Sequence, residues 1–240
     1  MQLGVQDAAR LLAVPEKTIY RWIKQGEIPA HKINDQYRFN RAELLEWATA
    51  RNMQISPEIF GDHSPSGAGL PTLLGALRVG GVHDKIGGSD KQAVMRSVVD
   101  SIILPPEVDR DFLCQVLLAR EALGSTGVGD GIAIPHVRNP IVLHLGAPMI
   151  ALCYLEKPID FGALDGQAVN TLFILISPSV RAHLHMLSRL GYVLRDARFK
   201  ATVKRQSAGE ELFAELERAE SALTKTPADS NASPSQSKSD

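Results

Sequence analysis

The sequence predicts an α/β protein, in which a C-terminal mixed β-sheet flanked by helices follows a small N-terminal winged unit. Two runs, APMIALCYL at 147–155 and AVNTLFILI at 168–176, are rich in aliphatic and β-branched residues and short enough to be core strands. Segments with helical spacing of apolar residues precede and follow these runs, which favours a layered α/β domain. The run from Gly61 to Gly69 contains small and turn-forming residues without an apolar period, and it divides the chain.

These observations predict two folded units joined by a flexible linker. We place the first unit at 1–55, the linker at 56–69, the second unit at 70–222 and a tail at 223–240. The tail contains almost no hydrophobic residues and is expected to be disordered, because it cannot offset the entropy lost on ordering. A chain of 240 residues, 44% of them hydrophobic, is long enough for one medium core, or for one medium and one small core.

The cysteines and the apolar pattern indicate the compartment. Cys114 and Cys153 each lie in an apolar run, as buried free thiols do, which predicts a reducing cytoplasm. No apolar stretch approaches the roughly 20 residues that a membrane span needs, and the N-terminus lacks a basic leader followed by an apolar block. We expect no membrane insertion and no cofactor. We also expect no metal site, because the cysteines are isolated and the histidines lack ligand spacing.

The elements of the first unit can be placed in order. Helical spacing of apolar residues over 5–12 predicts a first helix, and a second helix should run from Pro15 to Gln25, with Gly26 as its stop. The runs IPAHKI and QYRFN predict a hairpin. RAELLEWATAR predicts an amphipathic helix that buries its apolar residues, which are Leu44, Leu45 and Trp47.

The basic side chains of this unit suggest a nucleic-acid interface. We expect the contacts to come from the free face of the second helix and from the hairpin, namely Lys17, Thr18, Arg21, Lys24, Lys32 and Arg38. The run TIYRWIKQGEIPAHKINDQYRFNRAELLEW resembles the excisionase-like branch of the MerR-type helix-turn-helix domains. That resemblance implies that the second helix enters the major groove while the hairpin contacts the backbone.

The charge of this unit tempers the prediction. Residues 1–53 contain eight Lys and Arg residues against six Asp and Glu residues, a surplus of only +2. Because affinity for DNA grows with the number of phosphates neutralised, so small a surplus favours a homodimer or paired sites over tight binding by one copy. The alternative is that the unit docks onto a protein partner or onto the second unit of this chain.

The second unit begins with helical patterns. Apolar spacing predicts helices over 70–77, 90–103 and 108–121, the second of them capped by Ser89 and Asp90. After the second core strand, Ser177 and Pro178 predict the start of a long amphipathic helix that runs to about residue 196.

A glycine-rich loop precedes the residue of greatest chemical interest. Four glycines lie within eight residues, Gly124, Gly127, Gly129 and Gly131, and the short strand IAI that follows them leads to Pro135 and His136. Neutral imidazole is a competent nucleophile near pH 7, so a histidine at such a strand end could attack phosphorus. A structural histidine beside a glycine loop would give the same spacing.

Three ordered blocks decide between these readings: REALGSTGVGDGIAIPH, PIDFGALDGQAVNTLFILISP and HLHMLSRLGYVLRD. Together they resemble the enzyme IIA component of the fructose and mannitol class of the sugar phosphotransferase system, and most of all its nitrogen-regulatory type, over about residues 70–220. The resemblance implies the enzyme IIA type 2 fold and a phosphoryl group carried by His136. It also implies that Arg120 screens the phosphoryl oxygens and that His183 bonds the phosphoryl group or orients the nucleophile.

Helix geometry selects His183 over His185, because residues two apart on a helix point about 200° apart. His183 shares a face with Leu187, Leu190 and Leu194, whereas His185 should be a solvated surface residue. The residues after His136, Val137 and Arg138, depart from the Gly and Lys common in the family. The remaining histidines have no motif around them: His31, His63, His83 and His144.

The resemblances together predict a cytosolic regulator. An HPr-type phosphocarrier would phosphorylate His136, and the phosphorylation state would control DNA binding or a regulated protein partner. The alternative is a transport component that passes phosphate to a separate IIB subunit, with the N-terminal unit as a docking module. A third reading is a phosphate-independent binding surface. If the two units dock through the basic N-terminal face, phosphorylated His136 would compete with DNA for that face.

Overall fold

A computed structural model describes residues 2–33, 35–51, 53, 71–106, 108–137 and 146–223. The predicted linker, almost all of the predicted tail, Arg138, His63 and His144 lie outside these ranges. Leu223, which we expected in the tail, is buried.

The first unit is a three-stranded antiparallel sheet with helices. Its elements are β1 (Gln2–Leu3), α1 (Val5–Leu11), α2 (Glu16–Gln25), β2 (His31–Ile33), β3 (Gln36–Asn40) and α3 (Arg41–Ala50). The sheet order β1-β3-β2 contains the predicted hairpin, and the N-terminal residues add a strand that we did not predict. Gly26 ends α2 in the left-handed conformation, at φ 69°. Pro15 stands one residue earlier than expected, at the N-cap, because the helix begins at Glu16.

A small core holds this unit together. Ile19, Phe39, Leu44 and Leu45 are fully buried in it. Trp47, which the sequence predicted to be buried, is only half-buried. Its indole Nε1 donates a hydrogen bond to the carbonyl of Glu27 at 2.6 Å. The burial of Leu44 and Leu45 and the hydrogen bond of the Trp47 indole together fix α3 against the rest of the unit.

The second unit is a mixed sheet covered by helices on both faces. Its elements are α4 (Leu73–Gly80), β4 (Val82–Ile86), α5 (Lys91–Ser101), α6 (Arg110–Ala122), β5 (Gly127–Gly129), β6 (Ile132–Ala133), β7 (Met149–Ile159), β8 (Val169–Ile176), α7 (Val180–Val193), α8 (Ala197–Lys204) and α9 (Glu210–Ser221). The sheet order is β4-β7-β8-β6-β5, with parallel pairs β4/β7 and β6/β8 and antiparallel pairs β7/β8 and β5/β6. The predicted fold class is confirmed.

Alternation along the central strands produces two cores. On β7, Ala151 and Cys153 face one apolar cluster, whereas Leu152 and Tyr154 face the other. The long helix predicted to residue 196 ends instead at Val193, because the Asp196 carboxylate caps α8.

The two units touch through α3, which packs on α7 and β5. Leu184 of α7 packs against the core of the first unit. A Cβ atom added to Gly191 of α7 would lie 3.3 Å from Thr49 of α3, so the glycine permits the close approach of the two helices. This contact places one end of α3 beside the glycine-rich loop. Within the described ranges, no helix combines the length and the apolar character that a bilayer span requires.

Candidate functional site

His136 sits where the sheet delivers it. After β6, the chain continues beside β8, and His136 forms an isolated parallel bridge with Leu175. The Ile134 amide donates to the carbonyl of Thr126, which keeps the strand close to the glycine-rich loop. An added Cβ at Gly127 in that loop would lie 2.7 Å from the Cβ of Ala163, so a larger residue there would force the loop to shift. The His136 side chain is held in a buried position, with 3% of the residue exposed.

Main-chain bonding fixes the tautomer of His136. Its Nδ1 lies 2.7 Å from the carbonyl oxygen of Ile134, and a carbonyl oxygen only accepts hydrogen bonds, so Nδ1 carries the proton. In the neutral ring, Nε2 therefore has the free lone pair. Arg120 Nε donates to this nitrogen over 3.2 Å. The geometry thus leaves Nε2 as the ring nitrogen with an available lone pair and places a guanidinium directly beside it.

His183 lies against His136, as the sequence predicted from its helical face. The ring centroids are 5.1 Å apart, and Ser179 caps the helix whose first turn carries His183. Burial lowers the pKa of His183 to about 3, so this imidazole is neutral. Its Nε2 is buried and has no hydrogen-bond partner among the described residues. An unpaired buried nitrogen at this place is available to a group bound on His136. His185 is half-buried rather than solvated, which corrects the sequence-based expectation.

Glu46 completes the site, and it comes from α3 of the other unit. Its Oε2 accepts a hydrogen bond from Arg120 Nη2 at 2.9 Å, and its Oε1 lies 3.4 Å from His136 Nε2. Burial by itself raises the pKa of Glu46, but the neighbouring His136 ring and the charge of the Arg120 guanidinium outweigh it, and the pKa falls to about 2. The pocket therefore holds an ionised carboxylate. No local motif in RAELLEWATAR marks this residue, since only the docking of α3 brings it to the site.

The cluster could be read as a metal centre, because ligand atoms of Glu46, His136 and His183 all lie within 4.8 Å of one another. Two imidazoles and a carboxylate are ligands that Zn²⁺ accepts. The Arg120 guanidinium, however, already neutralises the Glu46 carboxylate and donates to the lone pair of His136. A second cation would have to displace that guanidinium. The arrangement suits an anion better than a metal ion.

The predicted DNA-contact residues lie away from this pocket. On α2, Lys17, Arg21 and Lys24 are exposed, and Thr18 is half-buried. On the hairpin, Lys32 is exposed and pairs with Asp35 at 2.9 Å, while Arg38 is half-buried. These side chains remain outside the contact between the units, which α3 makes.

The mixed sheet, the histidine at the end of β6 and the preceding helix-turn-helix unit define the class of protein. A family model described as the phosphoenolpyruvate-dependent sugar phosphotransferase system, EIIA 2, matches residues 77–219, and one described as a helix-turn-helix domain matches residues 3–52. The chain belongs to the EIIA type 2 family of the phosphotransferase system. The resemblances inferred from the sequence are confirmed for both units.

The similar proteins include nitrogen regulatory proteins. A nitrogen regulatory protein of Pseudomonas aeruginosa is 35% identical over 129 residues, which cover 52% of this chain and 82% of that protein. A nitrogen regulatory protein of Bradyrhizobium diazoefficiens is 36% identical over 126 residues, 52% of this chain and 74% of that protein. The crystal structure of nitrogen regulatory protein IIA-Ntr from Neisseria meningitidis aligns with a TM-score of 0.49 and 30% identity, over 56% of this chain and 91% of that one.

Proposed function

We propose that this protein accepts a phosphoryl group on Nε2 of His136 from an HPr-type phosphocarrier, and that the phosphorylation state controls DNA binding or a protein partner. One observation carries the proposal: the Ile134 carbonyl holds the proton on Nδ1 and leaves the lone pair of Nε2 facing Arg120. In the transfer, the P–N bond of the donor phosphohistidine breaks as the P–Nε2 bond forms. The proton stays on Nδ1, so the imidazole ring takes the positive charge.

Two neighbours have roles in this transfer. The Arg120 guanidinium neutralises charge on the phosphoryl oxygens, which a planar fork of donors does well. His183 is neutral and has a buried, unpaired nitrogen beside His136, so it bonds a phosphoryl oxygen. Both roles rest on positions that the buried helix ends fix, which limits the reorganisation needed during transfer.

The helix-turn-helix unit supports a regulatory reading. Exposed cations on α2 suit the phosphates and base edges of a duplex, and the small net charge of the unit favours a homodimer on paired half-sites. The transport alternative keeps the same histidine chemistry and passes the phosphoryl group to a IIB subunit. The contact of α3 with the pocket favours it in one respect, since docking would then be the task of the N-terminal unit. Sequence-dependent DNA binding by the purified protein separates the two.

The test of the histidine chemistry is acid-labile labelling of the full chain by enzyme I, an HPr-type carrier and phosphoenolpyruvate. We expect label on the wild type and none on His136→Ala. His185→Ala is the matched control, because it removes an imidazole from the helix that carries His183 without touching the nucleophile, and it should label normally. Label persisting in His136→Ala, or absence of label both from the wild type and from variants in which the contact of α3 with the pocket is weakened, would refute the proposal.

A further inference from the structure

The pocket around His136 is filled by another part of the same chain. We propose that the N-terminal unit covers the face where the phosphocarrier must bind, with the Glu46 carboxylate in the place of the phosphoryl group, so that docking of this unit and phosphorylation of His136 exclude each other. The inference rests on the proposed function. It adds a partner for the phosphoryl site, namely α3 of this chain.

The contacts of Glu46 are those an incoming phosphoryl group would need. The carboxylate accepts from Arg120 Nη2, while Nε of the same guanidinium donates to the nucleophilic nitrogen. Oε1 lies 3.4 Å from Nε2, which is the distance at which a reacting phosphorus atom has to stand for attack. The Glu46 carboxylate therefore binds the guanidinium that would bind a phosphoryl group, and it also blocks the approach to Nε2 of His136.

Access to the nucleophile is closed in the docked arrangement. The side chains of Glu46 and Arg120 are 14% and 11% exposed, and that of His136 is 4% exposed. The cavity that remains between Glu46, Thr49, Arg120 and His136 measures about 20 Å³. That volume holds about one water molecule and leaves no room for a phosphoryl group with three oxygens. A protein donor reaches Nε2 only after α3 has moved away.

Charge makes the exclusion work in both directions. The oxygens of a phosphoryl group on Nε2 carry a charge of about −1.5 to −2 at pH 7, which the positive ring offsets only in part, and they would lie within a few ångströms of the ionised Glu46 carboxylate. Arg120 has one guanidinium for the two anions, and the phosphoryl group is bonded to the ring beside it. Phosphorylated His136 therefore takes Arg120 from Glu46 and repels α3.

The contact is built so that it can separate. Outside the site it includes Thr49 against Gly191, Leu184 against the first core and the packing of α3 on β5, while each unit keeps its own buried apolar cluster. The exposed cations of α2 are free of the contact, so the docked protein keeps its predicted DNA surface open. The geometry differs from competition through the basic face, which was one possibility raised by the sequence. Phosphorylation would instead release the N-terminal unit from the IIA unit.

The first experiment removes the charge of Glu46 without changing its size. In Glu46→Gln, we expect the rate of labelling of the full chain by the phosphorylated HPr-type carrier to rise about tenfold, which corresponds to losing one charge-assisted hydrogen bond from the docked state. The matched control is Glu43→Gln on the same helix, where the carboxylate pairs with His31 inside the N-terminal unit. This control should label at the wild-type rate.

The second variant, Gly191→Gln, is designed to weaken docking while leaving the side chains of Glu46, Arg120 and His136 unchanged. Its side chain would collide with Thr49, and a helical glycine tolerates the replacement within α7. We expect faster labelling than in the wild type, together with a larger radius of gyration by small-angle X-ray scattering. Phosphorylated wild type should show the same expansion.

The outcomes separate this inference from the proposed function. Labelling of Glu46→Gln and Gly191→Gln at or below the wild-type rate would overturn the exclusion and leave the histidine chemistry standing. A phosphorylated wild type with unchanged dimensions would also overturn it. If no variant takes label from a competent donor, the proposed function fails, and the competition between α3 and the phosphocarrier fails with it.

Discussion

All three nitrogen atoms of the Arg120 guanidinium donate hydrogen bonds. Nε donates to His136, Nη1 donates to the carbonyl of Gly124 at 3.0 Å, and Nη2 donates to Glu46. The bond to Gly124 fixes the guanidinium relative to the loop, and the other two bonds hold it against His136 and the Glu46 carboxylate. A lysine ammonium has comparable charge but cannot form this planar set of contacts.

Arg120→Lys should slow phosphoryl transfer to His136 by about tenfold to a hundredfold, the effect of losing one charge-assisted hydrogen bond. The comparison belongs in a Glu46→Gln background, because Arg120 also holds α3 on the pocket and the two effects oppose each other. Single-turnover labelling rates measure it. Arg198→Lys, at an exposed ion pair with Glu215, is the control. Equal rates for Lys and Arg at position 120 would show that charge alone suffices.

His183 carries a pH dependence whose sign is set by burial. Its pKa is lowered from 6.5 to about 3, so below pH 6.5 the unfolded chain binds a proton that the native protein does not. Stability is therefore complete above pH 6.5 and declines as the pH falls from there toward 3. Glu46 adds nothing in the upper part of this range, since its pKa moves between 4.5 and about 2.

We expect the free energy of unfolding of the wild type to drop by about 1.4 kcal/mol between pH 7.5 and pH 5.5 through His183 alone. In His183→Gln this share of the pH dependence should vanish. Urea unfolding of both proteins at the two pH values measures the difference. A pH slope that is the same in both proteins would contradict the assignment of a neutral, buried His183.

The glycine-rich loop depends on a buried carboxylate at the end of α6. Glu121 at the end of α6 accepts hydrogen bonds from the amide of Thr126 at 3.0 Å and from its hydroxyl at 2.6 Å, and Lys91 lies 3.3 Å away from it. These bonds tie α6, which carries Arg120, to the glycine-rich loop, where the Thr126 carbonyl in turn accepts a hydrogen bond from the amide of Ile134. The position of Arg120 relative to His136 thus depends on the hydrogen bonds between the end of α6 and the glycine-rich loop.

Gly127→Ala tests this joint from the other side. The new methyl group would stand 2.7 Å from Ala163, so the loop must shift, and we expect a loss of about 1–3 kcal/mol in the free energy of unfolding. Gly146→Ala is the matched control, because an added Cβ there meets nothing within 4 Å. Denaturant titration of both variants decides it, and equal stability would mean that the loop yields without strain.

Several elements were readable from local pattern, and others were not. Strands β7 and β8 could be predicted because their segments 149–155 and 172–176 are continuously apolar and buried on both faces. The edge strand β4 reads VHDKI and is exposed at two of its five positions, so only its pairing with β7 makes it a strand. In the site, Arg120, His136 and His183 lie inside recognisable blocks. Glu46 is 74 residues from Arg120 in sequence, and its place follows from packing between the units.

The two proposed activities lie on different surfaces of the protein. The pocket is at the contact between α3 and the second unit, whereas α2 is turned to solvent with Lys17, Arg21 and Lys24 exposed. The unphosphorylated, docked protein is therefore expected to bind DNA, and any change on phosphorylation must act through the arrangement of the units rather than by covering α2.

Arg21→Ala should weaken DNA binding by the full-length protein and lower the magnitude of the slope of log affinity against log salt by about 1, as expected for one lost phosphate contact. Fluorescence anisotropy with a labelled duplex across a salt series measures both quantities. Arg195→Ala, in the second unit after α7, is the control and should leave the slope unchanged. An unaltered slope in Arg21→Ala would place the duplex elsewhere or rule out a DNA function for α2.

The bond between His136 Nδ1 and Ile134 has a consequence for how the protein tolerates sequence drift. The acceptor is a main-chain carbonyl, which every amino acid possesses, so replacing the side chain at position 134 by another strand-forming residue leaves the proton donor satisfied. The path of the backbone, rather than a second side chain, therefore determines which ring nitrogen carries the proton. Only a change that moves the backbone carbonyl of residue 134 away from Nδ1 would let the proton shift to Nε2 and leave the lone pair on Nδ1.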